Sequence, residues 1–258
     1  MYQFIHHQQD LQTVYHLMDQ GTIYGLDTEF IKVDTFWPKL GVFQINVNGK
    51  VYLLDGTTLD LTEFWNRIFA AQQNIFHACS EDIDLIYHYS QHKTLENVFD
   101  TQVGMSFLGH GLQVSYQNAL KTMLDVDIEK DQTRSDWLAR PLTPEQLMYA
   151  ANDVEYIMQL SEKVKIELSE KRLLDYVLED CCSLTYEIGQ EKPISMLYQD
   201  MGNYRNSRKQ LMQLQQLAVW REQMVKALNQ PRSFILKNST MQDLVEKNPR
   251  NTFQLSTM

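Results

Sequence analysis

The chain has 258 residues, 43% of them hydrophobic, and a formal net charge of −10. That is enough apolar material for one substantial core and a second small domain, while no apolar run reaches the length that spans a bilayer. The opening Met1-Tyr2-Gln3-Phe4-Ile5-His6-His7 lacks the basic and apolar regions of a signal peptide, and the three cysteines, Cys79, Cys181 and Cys182, form no disulfide pattern. A cytoplasmic protein without a membrane partner is therefore expected.

In chain order, the first informative segment is the apolar run Ile23 to Leu26, which ends in Asp27-Thr28-Glu29. In a β-strand residues i and i+2 share a face, so Asp27 and Glu29 are expected side by side with Thr28 turned away. Two such anions repel unless a cation lies between them. Hard oxygen ligands without a His or Cys cluster suit Mg²⁺ or Mn²⁺ rather than zinc. Phe30, Phe36, Trp37 and, further on, Tyr116 lie near the motif segments and are candidates for stacking on nucleobases, Trp37 foremost. Val42 to Val47 and Lys50 to Leu54 read as strands joined through the type I′ turn signal Asn48-Gly49. A helical stretch follows at Leu61, Phe64, Trp65, Ile68 and Phe69.

The segment from Asn74 to Asp82 is a short apolar run and a polar turn, with Ser80 as the expected N-cap of a helix that continues through Ile83, Leu85, Ile86 and Tyr89. Asp82 then falls in the first helical turn, where the helix dipole tolerates an anion. After Thr101 several helices are expected in succession to about Ile188. Thr143-Pro144-Glu145-Gln146 reads as N-cap, N1 proline and capping-box glutamine. Tyr149 and Asp153, four residues apart in that helix, are expected on one face, at the margin of a buried stripe of Leu147, Ala150, Val154, Ile157 and Leu160.

Each motif alone is commonplace; their order is not. Asp27-x-Glu29, His77-x-x-x-x-Asp82, the segment Thr133 to Thr143, and Tyr149-x-x-x-Asp153 together resemble the ribonuclease D family of 3′→5′ exonucleases, in the tyrosine form of the DEDD superfamily. The resemblance implies a ribonuclease H-like α/β fold, a mixed sheet flanked by helices, over residues 1–192. It implies that Asp27, Glu29, Asp82 and Asp153 are metal ligands for two divalent ions, Mg²⁺ or Mn²⁺, with Tyr149 as the fifth catalytic residue, orienting the attacking water. It further implies an exoribonuclease acting on RNA with a 3′ trailer, precursor tRNA in particular. The same residues would also serve a 3′→5′ DNA exonuclease, or persist in a catalytically silent nucleic-acid-binding protein.

Gln190-Glu191-Lys192-Pro193 reads as a linker, and the charge changes sign beyond it. Residues 1 to 200 carry 14 Lys and Arg against 30 Asp and Glu, whereas residues 201 to 258 carry 9 against 3. A basic tail can supply the attraction to a phosphate backbone that an acidic body lacks. Leu214, Leu217, Trp220-Arg221-Glu222, Asn229-Gln230-Pro231-Arg232 and Phe234-Ile235-Leu236 resemble the opening helices of an HRDC domain. The resemblance implies a partial, small all-α HRDC-like domain at 205–258 that binds nucleic acid. A monomer is the favoured oligomeric state.

Overall fold

The computed structural model describes residues 1–128, 135–190 and 192–257. Its first unit comprises Met1–Ile31 and Lys39–Gln190, and its second Lys32–Pro38 and Glu191–Met258.

In the first unit six strands form one sheet: β1 (Tyr2–Ile5), β2 (Ile23–Ile31), β3 (Lys39–Val47), β4 (Lys50–Asp55), β5 (Gln73–Phe76) and β6 (Val98–Asp100), in the spatial order β1-β4-β3-β2-β5-β6. The pairs β2–β3 and β3–β4 are antiparallel, and β1–β4, β2–β5 and β5–β6 are parallel. The mixed sheet anticipated from the sequence is thus present. Asn48 and Gly49 make the expected β3–β4 turn, both at positive φ, with Val47 paired to Lys50. β1 was not anticipated. It has four residues, and its partner β4 lies far along the chain, so no local signal marks it.

The period-two alternation sorts the sheet into two faces. Leu26, Phe43 and Ile45 join a core formed with α1 (Leu11–Met18), α2 (Thr62–Ala70) and α3 (Ser80–Ser90). Val42, Leu53, Ile75 and Phe99 join a second core with α4 (Thr101–Phe107), α5 (Tyr116–Leu124), α6 (Pro144–Glu155), α7 (Ile157–Glu170) and α8 (Leu174–Gly189). The stripe expected to run from Leu147 to Leu160 is divided between α6 and α7, because the chain breaks at Tyr156. Ala150, Val154, Ile157 and Leu160 are buried as expected, and Leu147 only partly.

Of the segment Thr133 to Thr143, Thr133 and Arg134 lie outside the described residues. The remainder is bolted to the sheet. Trp137 is 2% exposed, and the Arg140 guanidinium donates to the Trp137 and Gly41 carbonyls at 2.9 Å each and to Asp55 Oδ2 at 2.8 Å. A β-carbon at Gly41 would lie 2.5 Å from the Trp137 carbonyl oxygen, so the segment approaches β3 as closely as it does only over glycine. This anchoring delivers the chain to Thr143, where the capping box with Gln146 forms as anticipated and starts α6.

The second unit runs from a 3₁₀ segment (Ile194–Asp200) through α9 (Arg208–Leu228), α10 (Arg232–Ile235), α11 (Asn238–Lys247) and α12 (Thr252–Ser256), and its core is Leu214 and Ala218 of α9 with Met241 and Val245 of α11. The loop Lys32–Pro38 belongs to it. The Asn229 side chain, at the αL cap of α9, accepts the Phe36 and Trp37 backbone N–H groups at 3.1 and 3.0 Å, and Lys226 lies 5.8 Å from the Trp37 ring centre. Trp37, the foremost stacking candidate of the sequence, is therefore engaged within its own chain. Glu191 of the expected linker, like Met258, lies outside the described residues. Among the described residues no helix is long and apolar enough to cross a membrane.

Candidate active site

Gly25, Asp27 and Glu29 alternate with Leu26 and Thr28 along β2, and they face the side of the sheet on which α6 packs. Opposite them on β3, in register, stand Asn46, Gln44 and Val42. Gln44 is fully buried and its Nε2 lies 3.4 Å from Asp27 Oδ2. Asn46, also buried, donates to the Val154 and Glu155 carbonyls at 2.8 and 3.2 Å, closing the last turn of α6 beside Asp153. A register irregularity between Glu29 and Phe30 bends β2 where its carboxylates end.

These elements bring Asp27, Glu29 and Asp153 together, with one carboxylate oxygen from each within 4.8 Å of the others. Tyr149, one turn before Asp153, hydrogen-bonds to its carboxylate. Asp82 arrives from the other side of β2. It is buried in the first turn of α3 and accepts a hydrogen bond from the Thr28 hydroxyl. Thr28 does point away from Asp27 and Glu29, as expected, but toward a fourth carboxylate rather than toward solvent. All five sequence-designated residues, Asp27, Glu29, Asp82, Tyr149 and Asp153, line one cleft of about 400 Å³, shared with Phe30, His77 and Tyr116.

Ser80 is not the cap of α3. It is the first helical residue, Cys79 holds the cap position, and neither side chain caps the helix. The work is done by Asp100, at the end of β6. Its carboxylate accepts the Ala78 and Cys79 backbone N–H groups at 3.0 and 2.8 Å while also capping α4 through Gln102 N–H at 2.7 Å. Ala78 sits at φ +66, a costly conformation for a residue with a side chain, and Asp100 holds it there. The turn that aims Asp82 thus depends on a residue outside the motifs. An apolar strand ending in Asp100-Thr101 before a helix is an N-cap signature that could have identified it. Gln44 and Asn46 carry no such signal.

The electrostatics of the cleft are those of a site built for cations. Burial, and then the charge of Asp153, pushes Asp27 well above the ordinary carboxylate range. Glu29 is pushed up to about 10 by burial and by Asp27, Asp153 and Asp82. Asp82 is raised by burial and Asp27 against the pull of Thr28, and Asp153 is raised by burial to about 7 despite the hydrogen bond from Tyr149. Four neighbouring carboxylates cannot all ionise near neutral pH without compensating positive charge. The donor set is oxygen only, and His77 is not part of it. Its Nε2 lies 2.8 Å from the Val114 carbonyl, so that nitrogen carries the proton, and its Nδ1 lies 2.9 Å from the Thr101 hydroxyl. The residues present therefore fit hard divalent ions such as Mg²⁺ or Mn²⁺.

A family model described as a 3′-5′ exonuclease matches residues 2–169. The chain belongs to that 3′-5′ exonuclease family. A second model, the HRDC domain, matches residues 210–258. Among curated exonuclease relatives, ribonuclease D of Pseudomonas paraeruginosa is 33% identical over 240 residues, covering 91% of this chain and 62% of its own. Ribonuclease D of Haemophilus influenzae is 32% identical over 257 residues, covering 96% and 63%. The chain thus spans less than two thirds of the length of these ribonuclease D relatives. In fold it is similar to the crystal structure of Escherichia coli RNase D, described as an exoribonuclease involved in structured RNA processing, with a TM-score of 0.92 at 24% identity over 100% of this chain and 69% of that one. The exonuclease and HRDC resemblances read from the motifs are borne out.

Proposed function

We propose that the chain is a metal-dependent 3′→5′ exoribonuclease that removes single nucleotides from RNA 3′ ends, with trailers of precursor tRNA as its substrate. Residues 1–192 would be the exonuclease domain and 205–258 a partial HRDC-like domain whose basic surface attracts the RNA backbone. The protein would work in the cytoplasm, as a monomer. The observation that carries this reading is the convergence of Asp27, Glu29 and Asp153 within 4.8 Å, in a member of the 3′-5′ exonuclease family.

Asp27, Glu29, Asp82 and Asp153 would hold two divalent ions, which when bound lower the pKa of water and offset charge developing on the phosphodiester. The residues themselves perform the positioning. Burial, together with the charges of Asp153, Glu29 and Asp27, drives the Tyr149 phenol far above its ordinary pKa. A phenol with an ordinary pKa of about 10 is protonated at neutral pH, so Tyr149 would serve as a donor that orients water and the Asp153 carboxylate. Hydrolysis on the far side of the terminal phosphodiester would release a nucleoside 5′-monophosphate and leave a new 3′-hydroxyl, ready for the next cycle. Thr28 and Gln44 hold the lone pairs of Asp82 and Asp27 that are not spent on cations.

The test is digestion of a 5′-labelled precursor tRNA bearing a 3′ trailer, with Mg²⁺ or Mn²⁺, beside a matched single-stranded DNA and the Asp27→Ala variant. A ladder that shortens from the 3′ end and stops near the mature terminus, absent in the variant, supports the proposal. Degradation of DNA alone would move the function to DNA, and the absence of any ladder would favour a binding role.

A further inference from the structure

Tyr116 lines the same cleft, yet no step above uses it. Its hydroxyl is buried and, among the described residues, has no hydrogen-bond acceptor. The backbone N–H of Tyr156, which faces it, can only donate. A phenol with an ordinary pKa of about 10 keeps its proton at neutral pH, so the hydroxyl is available as a donor. A buried O–H without an acceptor costs about 1 to 3 kcal/mol. Such a cost is not expected of a residue that serves packing alone, because phenylalanine would fill the same volume.

The surroundings hold this donor in place. Tyr116 is the first residue of α5, and Ser115, the cap, accepts the Asn118 N–H. The preceding Val114 carbonyl is fixed twice, by His77 Nε2 at 2.8 Å and by Gln102 Nε2 at 3.0 Å. The His77 ring itself lies 5.4 Å, centre to centre, from the Tyr116 ring. Three side chains thus fix one tyrosine whose polar atom has no acceptor in the protein. Resting on the nuclease reading, we propose that Tyr116 is a substrate-contacting residue whose hydroxyl donates a hydrogen bond to an oxygen of the 3′-terminal nucleotide, a sugar hydroxyl or a phosphate oxygen. His77 and Gln102 are its positioning residues.

The variant Tyr116→Phe removes the donor and keeps the ring. On 5′-labelled single-stranded RNA its kcat/KM is expected to fall about threefold to tenfold, the worth of one neutral hydrogen bond, while its melting temperature stays level or rises. The same RNA ending in a single 2′-deoxynucleotide separates the two acceptors. If the variant loses nothing further on it, the acceptor is the 2′-hydroxyl; an equal loss on both substrates assigns it to the phosphate or the 3′-hydroxyl. Adenosine 5′-monophosphate binding, measured by calorimetry, is expected to weaken by a similar factor. Unchanged kcat/KM on both RNAs overturns the proposal, as does a loss accompanied by a lower melting temperature, which marks a packing role. If the wild-type protein degrades neither RNA, it is the nuclease reading that fails. The adenosine monophosphate affinity then decides the Tyr116 contact alone: weaker in the variant sustains it, and equal overturns it.

Discussion

One buried carboxylate and one half-buried set of three, both reached by the loop and helix that follow Ser135, show opposite electrostatic designs. Asp55, 2% exposed at the end of β4, receives two bonds from the Arg140 guanidinium and two from Thr57. Burial alone would raise its pKa, but the hydrogen bonds from Arg140 and Thr57 prevail and hold it below the ordinary carboxylate range. Asp27, Glu29 and Asp153 are half-buried beside one another, and their pKa values go up. The first group is complete within the protein; the second is complete only with positive charge from outside. A buried acid that carries its own counter-charge holds the fold together, and one that lacks it marks where something must bind.

The sharpest way to break this comparison is to neutralise one acid of each kind. Asp27→Ala is expected to bring turnover to background in the ladder assay while the protein remains folded. Asp55→Asn should leave the rate per folded molecule near that of wild type and lower stability instead. Next in size, Arg140→Ala leaves Asp55 buried without its partner and frees the segment from Gly41; urea denaturation should show a loss of about 3 to 5 kcal/mol. If the variant is as stable as wild type, the pair is not what compensates Asp55.

Proton linkage separates the groups by sign. A carboxylate with a raised folded pKa stabilises the metal-free fold below its unfolded value of about 4, and that contribution is lost as pH rises through the folded value. For Asp153 the loss runs up to its folded value of about 7. Metal-free protein should therefore lose melting temperature over that window, Mg²⁺ should restore it, and Asp153→Asn should flatten the slope. Asp55 behaves in reverse: its contribution is present above the unfolded value and is lost as pH falls through its depressed folded value. The smallest expected effect belongs to Asn46→Ala, which removes the donor from the end of α6. A stability loss of about 1 to 3 kcal/mol should accompany a fall in kcat with little change in KM, because Asp153 is displaced while the outer cleft is intact.

What could be read from the sequence follows from range. The Thr143 capping box and the Asn48-Gly49 turn are satisfied within a few residues of themselves, so local pattern revealed both. The expected cap at Ser80 failed because its role passed to Asp100, which reaches the same turn from another strand. Strand and helix periodicity put Asp27 beside Glu29 and Tyr149 beside Asp153, and the resemblance to the ribonuclease D motifs, not periodicity, singled these pairs out. Thr28, Gln44 and Asn46, which brace them, were not legible. A polar residue inside an apolar strand carries no sign of what it will meet across the sheet. Nor could the sequence show that the Trp37 backbone N–H would be held by Asn229, 192 residues away.

That separation also bears on how the molecule is made. A ribosome adding roughly 5 to 20 residues per second releases the Lys32–Pro38 loop long before α9 exists, so for roughly 10 to 40 s the Phe36 and Trp37 amides wait for the Asn229 side chain that will accept them. During that interval two adjacent aromatic rings stand open on a nascent chain whose strands can already pair. The loop is thus one of the last parts of the protein to reach its final contacts.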